Sequence, residues 1–334
     1  MRCFWNEAQR PHTPALEFFN GGLHPAADRP DRADAILAVI EPIEAAIAHG
    51  LEPILRVHGA DYCAFLESAH ADWLAAGRAG DAFPYAFPIV GRRPLALQRI
   101  DARLGQYSFD TATPIGPGTW TATRAAADTA LSALDALLGG DRAAFALTRP
   151  PGHHAGADYC GGYSYLNHAA IAAEAALAAG RKRIAILDVD YHHGNGTQDI
   201  FLERRDVAYV SIHADPVMDY PYFWGHAEET GSGDGEGFNL NLPLPRGTDW
   251  TTYRAALDQS FDWIARFDAE LLIVSFGADT YAGDPISHFA LETRDYRPMG
   301  RAIAALGLPT LIVMEGGYAV DALGANVAGF LSGF

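Results

Sequence analysis

The sequence predicts an α/β fold: a single domain with a central, mainly parallel multistranded sheet flanked by helices, and an active site at the C-terminal ends of the strands. Three observations predict it. Short, continuous, β-branched-rich runs such as Arg183 to Val189 (RIAILDV) and Glu270 to Gly277 (ELLIVSFG) read as strands buried on both faces. From Trp120 onward such runs alternate with helical-period segments, the order of βαβ units. Four of the runs end in polar residues, the place where open α/β sheets bind ligands.

Taken in order, Met1 to Trp5 reads as a short strand, followed by a polar loop through Glu17, Asn20, Gly21, Gly22 and His24. Asp31 to His49 carries Ile36, Ile40, Ile43 and Ile47 at helical spacing and is closed by Gly50, which predicts one helix. A second helix starts after Gly59 and carries Phe65 and Leu66 towards Trp73. Between Asp81 and Thr119 the periodicity dissolves among five prolines; a loop this long inside a compact domain points to function. A helix over Trp120 to Leu138 stops at Gly139-Gly140, and the strand Ala143 to Arg149 runs into Pro150-Pro151-Gly152-His153-His154. An alanine-rich helix, Tyr165 to Ala179, leads to the strand ending at Asp188, and a short helix covers Thr197 to Glu203. Val207 to Ala214 is strand-like, and Asp215 to Asn239 is irregular and glycine-rich. A helix over Trp250 to Phe267 precedes the strand that ends at Asp279. A helix over Tyr296 to Ala305 and the strand Pro309 to Met314 then lead to Glu315-Gly316-Gly317-Tyr318 and a closing helix, Leu323 to Leu331.

Composition narrows the class. With 334 residues, 49% hydrophobic and 19% charged, the chain has length for a large core, and no linker, charge block or repeat marks a boundary, so residues 1–334 are read as one domain. The net charge of −17 argues against nucleic acid as a partner; it favours cationic ligands by steering, or simply serves solubility. Cys3, Cys63 and Cys160 form no paired framework, and no apolar run approaches the ~20 residues that span a bilayer. A cytoplasmic protein with no membrane partner is expected.

The chemistry converges on the strand ends. Asp190 and His192 are two apart, so strand geometry aims both side chains at one point. A turn with two solvated histidines would read the same way locally, but the other strand ends oppose that. Asp190, His192 and Asp279 form a three-ligand set for a catalytic Zn²⁺, and their formal charge cancels that of the ion. A neutral site acidifies water less than a three-histidine site, so a separate base is needed, and adjacent His153 and His154 are the available groups. Tyr318, on a Gly-Gly turn, is placed to donate to a developing oxyanion. The reaction class that fits is metal-assisted hydrolysis of an amide. His193, out of phase with His192, is expected to be structural, and Asp284 a loop cap.

With these residues in view, the chain resembles the arginase-deacetylase superfamily and, within it, the histone deacetylase-like amidohydrolases, most closely the bacterial acetylpolyamine amidohydrolases. The motifs that carry the resemblance are RPPGHHA (149–155), GGYSYLNHAA (161–170), ILDVDYHHGNGTQDIF (186–201), AEETGSG (227–233), GADTYAGDP (277–285) and VMEGGY (313–318). The resemblance implies that His154 is the general base and then acid, that His153 stays protonated beside Asp188, and that Tyr318 polarises the carbonyl. It implies that the Gly162 carbonyl accepts the substrate amide proton and that Tyr163 and Tyr220 wall a narrow channel. It further implies a structural K⁺ at Asp188, Asp190, His192, Ser211 and Ile212, partly through backbone carbonyls. Asn195 takes the position where many eukaryotic relatives have Asp next to the base.

The resemblance also implies that the 81–119 insertion shapes the mouth of the active site and builds a homodimer. The acidic mouth positions of such relatives fall on Glu17, on Asp101, and on Ala112, where the family carries Glu; the last departure weakens the match to polyamines. The expected substrate is a small linear amide, acetylpolyamines first. The alternatives are a protein-lysine deacetylase and an amidase for neutral or xenobiotic small amides. A binuclear manganese ureohydrolase and a non-catalytic sensor stand further off.

Overall fold

The computed structural model describes residues 1–89 and 96–334. In chain order the elements are β1 (Arg2–Trp5), β2 (Leu16–Phe19), β3 (Gly22–Pro25), α1 (Asp31–Leu37), β4 (Ile43–Ala45), α2 (Glu52–Leu55), α3 (Ala60–Ala75), α4 (Ile100–Gln106) and α5 (Thr119–Leu138). The regular half follows with β5 (Ala143–Ala146), α6 (His168–Ala178), β6 (Ile184–Asp188), α7 (Asn195–Phe201), β7 (Val207–Ala214) and β8 (Asn239–Leu244). It closes with α8 (Trp250–Phe267), β9 (Leu271–Phe276), α9 (Thr293–Ala304), β10 (Thr310–Met314) and α10 (Val320–Leu331).

Eight strands form one sheet in the order β4-β1-β5-β10-β9-β6-β7-β8, and every pairing in it is parallel, as predicted. The chain therefore has the α/β architecture expected, with helices on both faces. The period-2 alternation of the strands shows in the two cores: Ile184 and Ile186 pack on one face with α3, α5 and α6, while Ala185 and Leu187 pack on the other with α1, α8, α9 and α10. Both faces are covered, which is why the central strands are continuous apolar runs. No helix among the described residues is long and apolar enough to cross a membrane.

The N-terminal third departs from the sequence reading. The helix expected over Asp31 to His49 ends at Leu37, and Ile43–Ala45 instead pairs in parallel with β1 as the sheet's edge strand. Pro42 disfavours helical backbone at Glu41, and the open edge of β1 offers Ile43 hydrogen bonds that a helix end would not. The loop around Glu17 holds a hairpin, β2-β3, turned by Asn20 (φ 49°) and Gly21 (φ 79°), a two-residue turn with both residues left-handed. Within the 81–119 insertion α4 is a regular helix; the portion at 90–95 lies outside the described residues.

Candidate active site

The ends of β6 and β9 lie side by side, and the chain beyond them delivers Asp190, His192 and Asp279 to one place: one ligand atom from each lies within 4.8 Å of the others. Backbone groups aim these side chains. The Gly316 N–H donates to Asp190 Oδ2 at 2.8 Å, and the Tyr191 N–H donates to Asp279 Oδ1 at 2.9 Å. Asp190 Oδ1, which also accepts the His192 N–H at 2.9 Å, Asp279 Oδ2 and His192 Nδ1 lie close together, with His192 Nδ1 3.1 Å from Asp279 and 3.4 Å from Asp190. Glycine is required around them: a Cβ at Gly277 would fall 2.0 Å from Asp190 Oδ2, and one at Gly316 2.5 Å from Asp279 Oδ2.

The donor set fits a divalent cation. Burial first, and then the adjacent Asp190, push the Asp279 carboxyl up, because two carboxylates are held close together away from water. Burial opposes charge on His192, yet Asp190 and Asp279 outweigh it and raise the imidazole to about 10. A cation at the shared point would satisfy both carboxylates and leave His192 a neutral ligand, a donor set compatible with zinc.

Two histidines at the end of β5 stand beside this cluster, with ring centroids 4.0 Å apart. His153 Nδ1 lies 3.0 Å from Asp188 Oδ2, which also accepts the Tyr209 hydroxyl at 3.0 Å. Burial disfavours its charge, but Asp188 and Asp190 prevail and raise His153 to about 10. His154 is held well below the ordinary histidine range, first by burial and then by the positive His153. Its Nδ1 lies 2.7 Å from Asn195 Oδ1, and Asn195 Nδ2 donates to the Tyr159 hydroxyl at 3.4 Å. That orientation makes Nδ1 a donor and leaves His154 Nε2 a free acceptor.

Tyr318 closes another side. Its N–H donates to Asp284 Oδ2 at 2.7 Å, so Asp284 caps the loop, and its ring centroid is 5.6 Å from that of Tyr163. Gly162 (φ 53°) lies so close to His154 that a Cβ there would meet His154 Cδ2 at 2.2 Å. Tyr220 faces the histidines, with its ring 5.2 Å from His154 and 6.1 Å from His192. Glu17 is buried against Tyr163 and accepts the Ala27 N–H at 3.3 Å; burial raises its carboxyl.

Two expected positions are engaged differently from a simple reading of their charge. Asp101 is paired with Arg78 and with Arg99, the latter at 2.9 Å, so its charge is already countered within its own chain. The Ser211 hydroxyl lies 2.8 Å from His213 Nδ1, and Ser211 pairs in register with Asp188 across β6 and β7. His193 turns to Asn241 at 3.1 Å and takes no place in the ligand cluster.

Sequence reasoning leaves two supporting residues without a role. The Glu315 carboxylate accepts the Gly152 N–H at 2.6 Å, the His153 N–H at 3.1 Å and the Ser275 hydroxyl at 3.1 Å, so it staples the ends of β5, β9 and β10 together. Arg32, buried on α1, donates to the carbonyls of Gly317 and Glu315 at 2.6 Å and lies over the Tyr318 ring at 4.6 Å. Its charge is balanced by Asp28 at 2.6 Å. An acid inside a Gly-Gly turn at a strand end was a signal for Glu315; Arg32 had none.

A histone deacetylase domain model matches residues 28–334. The chain is 49% identical to acetylpolyamine amidohydrolase 2 of Pseudomonas aeruginosa, covering 100% of this chain and 98% of that protein. It is 46% identical to the acetylpolyamine amidohydrolase of Mycoplana ramosa, covering 100% and 99%. Among solved structures it is similar to an acetylpolyamine aminohydrolase from Burkholderia pseudomallei, with a TM-score of 0.96 at 40% identity, covering 100% of this chain and 98% of that one.

Proposed function

The chain belongs to the histone deacetylase domain family, hydrolases that act on amides, and from that premise we propose that it deacetylates small N-acetylated amines, acetylpolyamines first. The observation that carries the reading is the meeting of Asp190, His192 and Asp279 within 4.8 Å, beside a neutral His154 and a buried Tyr318. Asp190, His192 and Asp279 would hold a Zn²⁺, which would supply Lewis acidity to the reaction.

This chain's own residues do the rest. The amide enters between the rings of Tyr163 and Tyr220, and the Gly162 carbonyl accepts its N–H. His154 Nε2 takes a proton from water as the oxygen adds to the carbonyl carbon, and returns it to the amine nitrogen as the C–N bond breaks. Tyr318 donates its hydroxyl proton in a hydrogen bond to the oxygen that gains charge. His153, kept cationic by Asp188, adds fixed positive charge beside that oxygen, and Arg32 holds the Tyr318 loop in place. The products are acetate and the free amine.

Asp188, Asp190, His192, Ser211 and Ile212 would hold a structural K⁺ behind the site, several of them through backbone carbonyls; the register of Asp188 with Ser211 supports it. The 81–119 insertion and the β2-β3 hairpin build a homodimer and narrow the mouth, and Glu17 and Asp101 give that mouth negative charge. In support, Phe18, Phe19 and Leu23 of the hairpin and Tyr85, Phe87 and Ile89 of the insertion are all exposed, large apolar side chains of the kind that interfaces cover. The three cysteines are free and buried, which fits a reducing compartment and a cytoplasmic enzyme.

A substrate panel tests the reading. N-acetylputrescine is expected to turn over far faster than an acetyl-lysine peptide or a neutral linear amide. Comparable rates on the peptide reject the small-molecule assignment, and metal analysis that finds anything but one divalent ion per chain rejects the site.

A further inference from the structure

One carboxylate at the channel has no part in the chemistry above. Asp110 lies in the 81–119 insertion, and its Oδ2 accepts both the Gly162 N–H at 2.7 Å and the Tyr220 hydroxyl at 2.8 Å. Gly162 follows β5 and Tyr220 follows β7, so one oxygen ties together two loops that the sheet places independently. Tyr163, next to Gly162, faces Tyr318, whereas Tyr220 faces the histidines; the tie therefore spans both walls. The surrounding segment is anchored as well: Thr113 Oγ1 accepts the Tyr163 N–H at 3.0 Å, and the Thr111 hydroxyl donates to the Phe18 carbonyl at 2.7 Å.

Among the described residues the partners of Asp110 are neutral donors, Gly162, Tyr220, Thr113 and Ala112; burial raises its carboxyl, and these hydrogen bonds favour the charged form against that. Hydrogen bonds from neutral groups orient a carboxylate without cancelling its charge. Asp101 differs, because two guanidiniums already counter it. Asp110 is also partly exposed, and the rings of Tyr220 and Phe109 stack 5.8 Å apart beside it. An oriented anion next to aromatic faces is a setting that stabilises an alkylammonium.

We propose that Asp110 is a specificity-determining residue: it fixes the spacing of the channel walls through Gly162 and Tyr220, and its negative charge selects amides whose chain carries a cationic amine. The inference rests on the reading that substrate passes between Tyr163 and Tyr220.

The test compares N-acetylputrescine with N-pentylacetamide, which has the same length and a methyl group in place of the ammonium. Asp110→Asn retains an oxygen that accepts from Gly162 and Tyr220, loses the Ala112 bond, and removes the charge. It is expected to lower the kcat/KM ratio of cationic to neutral substrate about tenfold, chiefly through KM. Tyr220→Phe breaks one arm of the tie and keeps the charge, so it is expected to slow both substrates by the same factor and leave the ratio unchanged. A melting curve checks that each variant is folded. An Asp110→Asn enzyme that keeps the wild-type ratio, or loses both substrates equally, overturns the proposal. Should the wild type ignore N-acetylputrescine, the proposed substrate fails separately, and the ratio is read on Nε-acetyl-lysine methylamide with its α-amine free or acetylated. A chain that hydrolyses none of these amides overturns both.

Discussion

The strand-end cluster and the channel mouth are built by opposite means. The cluster draws on the ends of β5, β6, β9 and β10, which lie in one parallel sheet, and Glu315 alone ties three of those ends together. Apart from the half-buried His192 its groups are buried, and removing one side chain leaves the rest held by the sheet. The mouth as proposed is made of the β2-β3 hairpin, the described part of the 81–119 insertion and the loop bearing Tyr220, joined by single side-chain bonds such as Thr111 to Phe18 and Asp81 to the Ala15 N–H. Its apolar side chains face outward. Under the proposed function, this difference assigns reaction class to the sheet and substrate choice to the irregular segments. Mutations at the cluster should then change kcat, and mutations at the mouth should change KM.

The sharpest test of the first half is His154→Ala. Removal of a positioned base is expected to lower kcat roughly 10²–10⁴-fold. KM and bound metal should change little, because the ligands Asp190, His192 and Asp279 keep their backbone supports. Near-normal turnover would remove His154 from its role, and metal loss would show that cluster and ligands are one unit.

A smaller effect at the same residue has a definite sign. Asn195→Asp puts a carboxylate where His154 Nδ1 now meets a neutral amide oxygen at 2.7 Å. The new charge favours the imidazolium and raises the pKa of His154 by about a unit. A base works in its neutral form, so the acidic limb of the kcat/KM profile should move to higher pH while rates on the plateau are largely kept. An unmoved limb would mean that His154 does not titrate in that limb.

The same division governs what could be read from the residues alone. Asp190-x-His192 is legible because a two-residue repeat in a strand is a geometric statement, and the apolar runs mark where each strand ends. Arg32 is not legible: its partners Gly317 and Glu315 lie more than 280 positions away, and a long-range bond leaves no local pattern. Ile36, Ile40, Ile43 and Ile47 have helical spacing only by coincidence, since Pro42 interrupts the run and Ile43 joins the sheet edge. Asn20-Gly21 between Phe19 and Gly22 did carry a hairpin signal, and the alternation in Asn239–Leu244 did mark a strand; both were hidden by polar, glycine-rich surroundings. At the mouth, Asp110 had no signal at all, because its significance lies in two partners that only the fold brings to it.

Phe19→Ser addresses the outward face of the mouth. If the exposed hairpin and insertion side chains are an interface between two copies, the variant should shift toward monomer in light scattering and raise KM several-fold, with kcat nearly unchanged. A variant that stays dimeric with an unaltered KM would assign the patch to another role.

The smallest effect decides what Asp101 is for. Its carboxylate is paired with Arg78 and Arg99, and Arg99 is largely exposed, so the pairs contribute only about 0.2–1 kcal/mol each. Replacing both arginines with glutamine frees the charge. If Asp101 faces the substrate of a neighbouring copy, the freed carboxylate should lower KM for N-acetylputrescine by roughly two- to fivefold and leave N-pentylacetamide unaffected, an advantage that added salt erases. If instead the pairs only pin α4 against the segment bearing Arg78, the melting temperature should fall slightly and both substrates should respond alike. The first result places acidic selection on both Asp110 and Asp101; the second leaves it to Asp110 within a single chain.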